Sequence, residues 1–136
     1  MLRNNLDLHL KSSRFDEPEG RMIASQVETV VTIHGCQGAD AEVFVGGRHA
    51  RLVEKLIEQL SDAGFQAEPS TVTGLRGINR DNLCNGGHLG MGVQLELTRG
   101  LRQMMFKALD RDSRKNKIVM FETFISVVRD VLAGED

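Results

Sequence analysis

The chain has 136 residues, 40% hydrophobic and 26% charged, and its 17 basic and 19 acidic side chains leave a formal net charge of −2. That balance suits one globular domain over residues 1–136, and it gives no bulk attraction to nucleic acid or to an anionic membrane surface. There is no Trp or Tyr to stack bases, no run nears the ~20 apolar residues of a membrane helix, and MLRNNLDLHLKSS has polar residues where a secretory h-region would be.

In chain order, Leu6, Leu8 and Leu10 alternate with Asp7, His9 and Lys11, which predicts a strand at the very start. SSRFDEP (Ser12–Pro18) is turn-like, and Pro18 is placed to open a helix at its first position. A weak helical pattern runs over Glu19–Glu28 through Met22, Ile23 and Val27. Thr29–Ile33 is a β-branched run that suits a central strand buried on both faces. It ends in His34-Gly35-Cys36. In open α/β sheets, ligands bind beyond the carboxyl ends of strands. His34 is therefore a candidate cleft residue, with a structural core histidine as the alternative.

Glu42–Val45 predicts a short strand closed by Gly46-Gly47. Arg48–Ala63 predicts the clearest helix, since Leu52, Val53, Leu56, Ile57 and Leu60 form one apolar stripe. Gly64 is its stop. Phe65–Pro69 reads as extended. Ser70–Gly92, rich in Gly and Asn, predicts a long shaped loop, and such loops are usually functional. Gly92–Arg102 reads GVQLELTRGLR. Val93, Leu95 and Leu97 alternate with Gln94, Glu96 and Thr98, so one set faces a core and the other a cleft or solvent. Thr98 can cap a following helix that carries Arg99 and Arg102 at i, i+3. Met104–Leu109 suggests a short helix ending near Asp110. Ile118–Ala133 predicts the last helix, with Phe121, Phe124, Ile125, Val128 and Leu132 on its inner stripe. This order predicts an α/β domain with a mixed, largely parallel sheet flanked by helices.

For chemistry, His34-x-Cys36 with Cys84-x3-His88 is a loose zinc-like spacing without a CxxC knuckle. Two cysteines make no disulfide framework, and free thiols in a reducing cytoplasm are the favoured reading. There is no GxSxG nucleophile elbow and no GK[ST] phosphate loop. A carboxylate on a strand with guanidiniums just past its end can handle an anionic substrate, the alternative being a surface strand with solvated charges.

Five blocks, LHLKSSRFDEP (Leu8–Pro18), VTIHG (Val31–Gly35), VGG (Val45–Gly47), GINRDNLCN (Gly77–Asn85) and GVQLELTRGLR (Gly92–Arg102), occur together and in this order. Over roughly residues 6–106 the chain resembles the phage-type poly-γ-glutamate hydrolase family, some of whose members are labelled "phage-related replication protein". The resemblance implies a zinc-carboxypeptidase-like fold and hydrolysis of γ-glutamyl amide bonds in poly-γ-glutamate. It implies His34 as a zinc ligand and Glu96 as the general base. Arg102, and with it Arg99, would hold substrate carboxylates. Asn82 and Asn85 would line the cleft, and His9 and Asp16 lie in the block near the metal. The zinc would be held by two His and one Glu.

The family's other His and Glu ligands precede the LHLKSSRFDEP block. Only eight residues precede His9 here, and they contain no such pair. The expectation is an N-terminally truncated domain with impaired zinc binding, and with an exposed sheet edge that would favour a homodimer. The competing expectation is a non-catalytic polyanion-binding or assembly module. The expected partner is poly-γ-glutamate or a related anionic peptide, with no nucleic acid and no membrane; the expected location is cytoplasmic, for a protein of phage or prophage origin.

Overall fold

A computed structural model describes residues 9–134. Its four strands, β1 (Val31–Gly35), β2 (Glu42–Gly47), β3 (Gln66–Pro69) and β4 (Val93–Leu97), form one sheet in the order β1-β4-β2-β3. β1 pairs parallel with β4, β2 pairs parallel with β3, and β2 pairs antiparallel with β4. The sheet is thus mixed and largely parallel, as the element order predicts. Four helices flank it: α1 (Pro18–Ser25), α2 (Ala50–Asp62), α3 (Arg99–Met105) and α4 (Val119–Ala133). The early strand expected around Leu6 and Leu8 lies outside the described residues, and His9–Lys11 has no regular structure.

The local chemistry explains where the helices start and stop. Pro18 opens α1, and the Glu17 carboxylate accepts from the Glu19 and Gly20 amides at 3.2 and 2.6 Å. His49 Nδ1 accepts from the Leu52 amide at 3.2 Å and so caps α2. Gly64 ends α2 at φ +91°, a conformation glycine takes without strain. Thr98 caps α3: its Oγ1 accepts from the Leu101 amide at 3.2 Å and donates to the Asp40 carbonyl at 2.6 Å.

One face of the sheet carries the core. Val43 and Val45 of β2 and Val93, Leu95 and Leu97 of β4 pack with Leu52, Leu56 and Leu60 of α2 and with Phe124, Val128 and Val131 of α4. Each such leucine, fully buried, stabilises by roughly 1.5–3 kcal/mol before chain entropy is counted. Phe65 meets Phe124 edge-on, with ring centroids 5.5 Å apart.

Two expectations change here. The β-branched run suggests a central strand, yet β1 stands at one end of the described sheet, and Ile33 is 55% exposed. The interior strands are β4 and β2, and all five residues of β4 are buried because the 70–92 loop covers the face opposite the core. β2 does not stop before its glycines but runs through Gly47. Gly46 must be a glycine there, because a Cβ would collide with the Arg76 carbonyl of the covering loop.

Candidate active site

Alternation places Gln94 and Glu96 on the face of β4 that does not meet the core. The parallel register sets Thr32 beside Gln94 and His34 beside Glu96. His34 and Glu96 therefore share one face, each one residue short of its strand's carboxyl end. The 70–92 loop closes over that face. The Gly47 amide donates to the Arg76 carbonyl at 2.8 Å, which fastens the loop to β2.

Asparagines hold the rest of the loop. Asn85 Nδ2 donates to the Gly77 and Asn79 carbonyls at 2.7 and 2.9 Å, while its Oδ1 accepts from the Gly92 amide at 3.0 Å. One buried amide thus ties both arms of the loop together at the entry to β4. Asn82 accepts from the Cys84 amide at 3.0 Å and donates Nδ2 to Gln94 Oε1 at 2.9 Å. Gln94 Nε2 in turn donates to Glu96 Oε1 at 3.0 Å and to the Leu75 carbonyl at 3.1 Å. The chain Asn82–Gln94–Glu96 fixes the carboxylate through one oxygen. Among the described residues, Oε2 has no hydrogen-bond partner.

The result is a cavity of about 460 Å³ whose wall includes His9, His34, Asn82, Gln94 and Glu96. Lys11 and Arg76 also line it, and both are exposed cations. Glu96 is 4% exposed. Burial raises its pKa above the ordinary carboxylate value, and the Gln94 hydrogen bond offsets part of the shift. Burial also lowers the pKa of His34, and His9 lowers it further, so the imidazole stays neutral at neutral pH. His34 Nε2 is buried and, among the described residues, has no hydrogen-bond partner.

That orphaned nitrogen is what a metal ligand needs, a neutral imidazole with a lone pair facing a cavity. Among the described residues, no three His, Cys, Asp or Glu side chains converge to complete a metal site. The His34, Cys36, Cys84 and His88 arrangement accordingly does not form. Both cysteines are free thiols. Burial pushes the Cys84 thiol up to about 11. Burial, reinforced by the Glu96 charge, also raises that of Cys36, against the pull of Arg102. Both thiols are thus held toward their protonated, less reactive form.

Of the residues singled out in the sequence, His9, His34, Asn82 and Glu96 meet at the cavity. Asp16, Asn85, Arg99 and Arg102 do not line it. Asn85 is committed to the backbone. Arg102 folds back: Nε donates to the Leu97 and Thr98 carbonyls, each at 3.3 Å, and Nη2 to the Cys36 carbonyl at 3.0 Å. Its guanidinium lies flat against Gly35, where a Cβ would stand 2.9 Å from Arg102 Cζ. Arg99 is exposed on the first turn of α3. Sequence reasoning did not mark Lys11 and Arg76. Lys11 stands in the LHLKSSRFDEP block beside His9, a signal that could have found it. Nothing in the local pattern marks Arg76.

Comparison with known proteins gives a consistent family. The family described as Poly-gamma-glutamate hydrolase matches residues 2–127. UPF0714 protein YmaC of Bacillus subtilis (strain 168) is 33% identical over 134 residues, which is 97% of this chain and 57% of YmaC. SPbeta prophage-derived UPF0714 protein YoqZ of the same strain is 32% identical over 126 residues, 90% of this chain and 45% of YoqZ. The chain thus spans about half the length of the curated relatives it matches. Among solved structures, a bacteriophage poly-gamma-glutamate hydrolase superposes with a TM-score of 0.89 at 27% identity, covering 98% of this chain and 65% of that one. A zinc-free apo form of YndL superposes equally well, with a TM-score of 0.89 at 26% identity, covering 98% of this chain and 67% of that one.

Proposed function

Because the chain belongs to the poly-gamma-glutamate hydrolase family, we propose that it is a zinc-dependent amidohydrolase acting on the γ-glutamyl amide bonds of poly-γ-glutamate. The observation that carries this reading is the register pair His34 and Glu96, side by side on the cavity face, one with an unpartnered Nε2 and the other with a raised pKa.

Glu96 is the general base. It takes a proton from the attacking water and returns it to the leaving nitrogen of the scissile amide. Burial makes it a stronger base than a solvated carboxylate, provided that it is ionised when substrate arrives. Gln94, held by Asn82, positions Oε1 and leaves Oε2 for the water. His34 would hold the zinc. When bound, the metal would supply Lewis-acid polarisation of the scissile carbonyl and a lowered pKa for water, to about 7. Lys11 and Arg76 meet the substrate's carboxylates at the cavity. Arg102, which keeps an Nη1 without a described partner beside Gly35, and Arg99 lie outside the cavity lining and would meet only carboxylates of the substrate that extend beyond it.

A second reading, a polyanion-binding or assembly module without turnover, is favoured by one observation: among the described residues no three His, Cys, Asp or Glu side chains group into a metal site. The deciding experiment measures zinc per chain in protein purified without chelator or metal-affinity resin, then cleavage of poly-γ-glutamate. The hydrolase reading expects about one zinc per chain, and cleavage that Glu96→Gln abolishes. Binding of the polymer without zinc and without cleavage would replace it with the second reading.

A further inference from the structure

A second cavity, of about 650 Å³, opens beside the first. Ser13 and Asn82 line both, so the two hollows adjoin at these residues, a groove in two parts. The lining of the second includes the apolar Phe15, Met22 and Leu83 and two arginines, Arg21 and Arg80. Both arginines are exposed, and among the described residues neither is ion-paired. Arg21 Nη1 donates to the Phe15 carbonyl at 3.3 Å, and among the described residues the Arg80 side chain has no hydrogen-bond partner. One acid, Asp81, shares this lining, so cations exceed anions there by one.

Asn82 is the hinge of the arrangement. Through Nδ2 it sets Gln94, and through Gln94 the carboxylate of Glu96, while its other side borders the second hollow. A ligand filling both hollows would thus pass directly over the residue that orients the candidate base. Lys11 and Arg76 on one side of Asn82 and Arg21 and Arg80 on the other make a run of cations along the groove. A single small anion has no use for four cations spread over two hollows. A chain with a carboxylate on every unit does.

We propose that the Arg21–Arg80 hollow is a second binding site, a track for several further carboxylates of an extended polyanionic peptide whose neighbouring segment lies over Glu96. The proposal deepens the hydrolase reading and rests on it for the identity of the peptide. It predicts that the groove binds long chains better than short ones, because the second hollow adds contacts only when the ligand reaches it. It also predicts salt-sensitive binding, since exposed guanidinium–carboxylate pairs are screened.

The test uses the full chain and fluorescently labelled poly-γ-glutamate, with affinity read by anisotropy at low and moderate salt. Arg21→Gln with Arg80→Gln removes both charges and keeps much of each side chain's length. The control, Arg111→Gln with Arg129→Gln, removes two exposed charges away from the groove. The expected result is a loss of about three- to tenfold in affinity for the groove variant, with a flatter salt dependence, and no loss for the control. An unchanged groove variant, an equal loss in the control, or no measurable polymer binding by the unaltered chain would each overturn the track. Cleavage with Glu96→Gln as reference reports separately on the hydrolase. Arginine-dependent binding without cleavage keeps the track and removes the catalyst. Cleavage with no arginine effect does the reverse.

Discussion

The two faces of β4 are both buried, but by different means. On one face Val93, Leu95 and Leu97 meet α2 and α4 in a close-packed apolar layer. On the other, Gln94 and Glu96 lie under a loop held by side-chain amides. The first face is stabilised by area removed from water, which tolerates small shifts. The second is stabilised by hydrogen bonds, which do not, and it buries a carboxylate that would be more stable in water. The apolar face therefore fixes the strand so that the polar face can hold an unfavourable group in place.

The largest effect should come from breaking the first face. Phe124→Ala removes a ring that is 1% exposed and leaves a hole against Phe65. A loss of about 3–5 kcal/mol in denaturant unfolding is expected. A loss below about 1 kcal/mol would mean that α4 does not complete this core.

Next comes the polar face. Asn85→Ala removes three hydrogen bonds at one stroke, leaving the Gly92 amide without its partner and the Gly77 carbonyl with only the weak Cys84 thiol donor. A loss of about 2–3 kcal/mol is expected. Hydrogen exchange should quicken in the 70–92 loop well before it does in α2. If exchange rises equally in both, loop and core unfold as one unit, and the contrast between the faces is energetic only.

Much of this contrast is legible in the sequence, and what escapes does so for physical reasons. Period-2 alternation in VQLEL separates the two faces of β4, and the stripe of α2 names Leu52, Leu56 and Leu60 directly. In α4, Leu132 is 37% exposed and Val131 takes the inward place at 3%. At 100° per residue the stripe drifts, and an apolar list cannot choose between neighbours. That β1 pairs with β4 is not legible, because parallel partners are joined by long crossovers that leave no local mark. The His34–Glu96 pairing is therefore visible only as two separate strand-end residues. Asn82 and Asn85 sit in the same block and look alike. One turns to Gln94 and the other to backbone, and only their three-dimensional partners tell them apart. Arg99 and Arg102 share a helical spacing. Arg102 nevertheless folds onto the carbonyls of Leu97, Thr98 and Cys36, an option that spacing does not encode.

Arg102 supplies a smaller test. It joins the ends of β1 and β4 just beyond the polar pair. Arg102→Lys keeps the charge but not the planar fork that reaches both strands. A destabilisation of about 1–2 kcal/mol is expected. Because the carbonyls of Leu97 and Thr98 face α3's first turn, the loss should appear as faster exchange there. A variant as stable as the parent would free Arg102 for substrate alone.

The smallest effect is the most diagnostic. Glu96 has a raised pKa in the folded chain, caused first by burial. The fold thus favours its protonated form. Its contribution to stability is full below the unfolded-state value of about 4.3 and is lost as pH rises through the folded value. Ionising this buried carboxylate as pH rises is a burden that Gln does not carry. Glu96→Gln keeps the shape and an amide oxygen to accept from Gln94, so it should melt higher than the parent at neutral pH. The gap should close as pH falls toward about 4. His34 works in the opposite sense: its lowered pKa stabilises the fold above about 6.5, and that stability is lost as pH falls through the folded value. Since parent and variant share the His34 contribution, their difference in melting temperature across pH isolates Glu96. A variant that melts lower than the parent at neutral pH would show that the carboxylate is held by a favourable charge rather than strained by burial. The contrast between a stabilising apolar face and a burdened polar one would then fail at the residue on which the proposed chemistry depends.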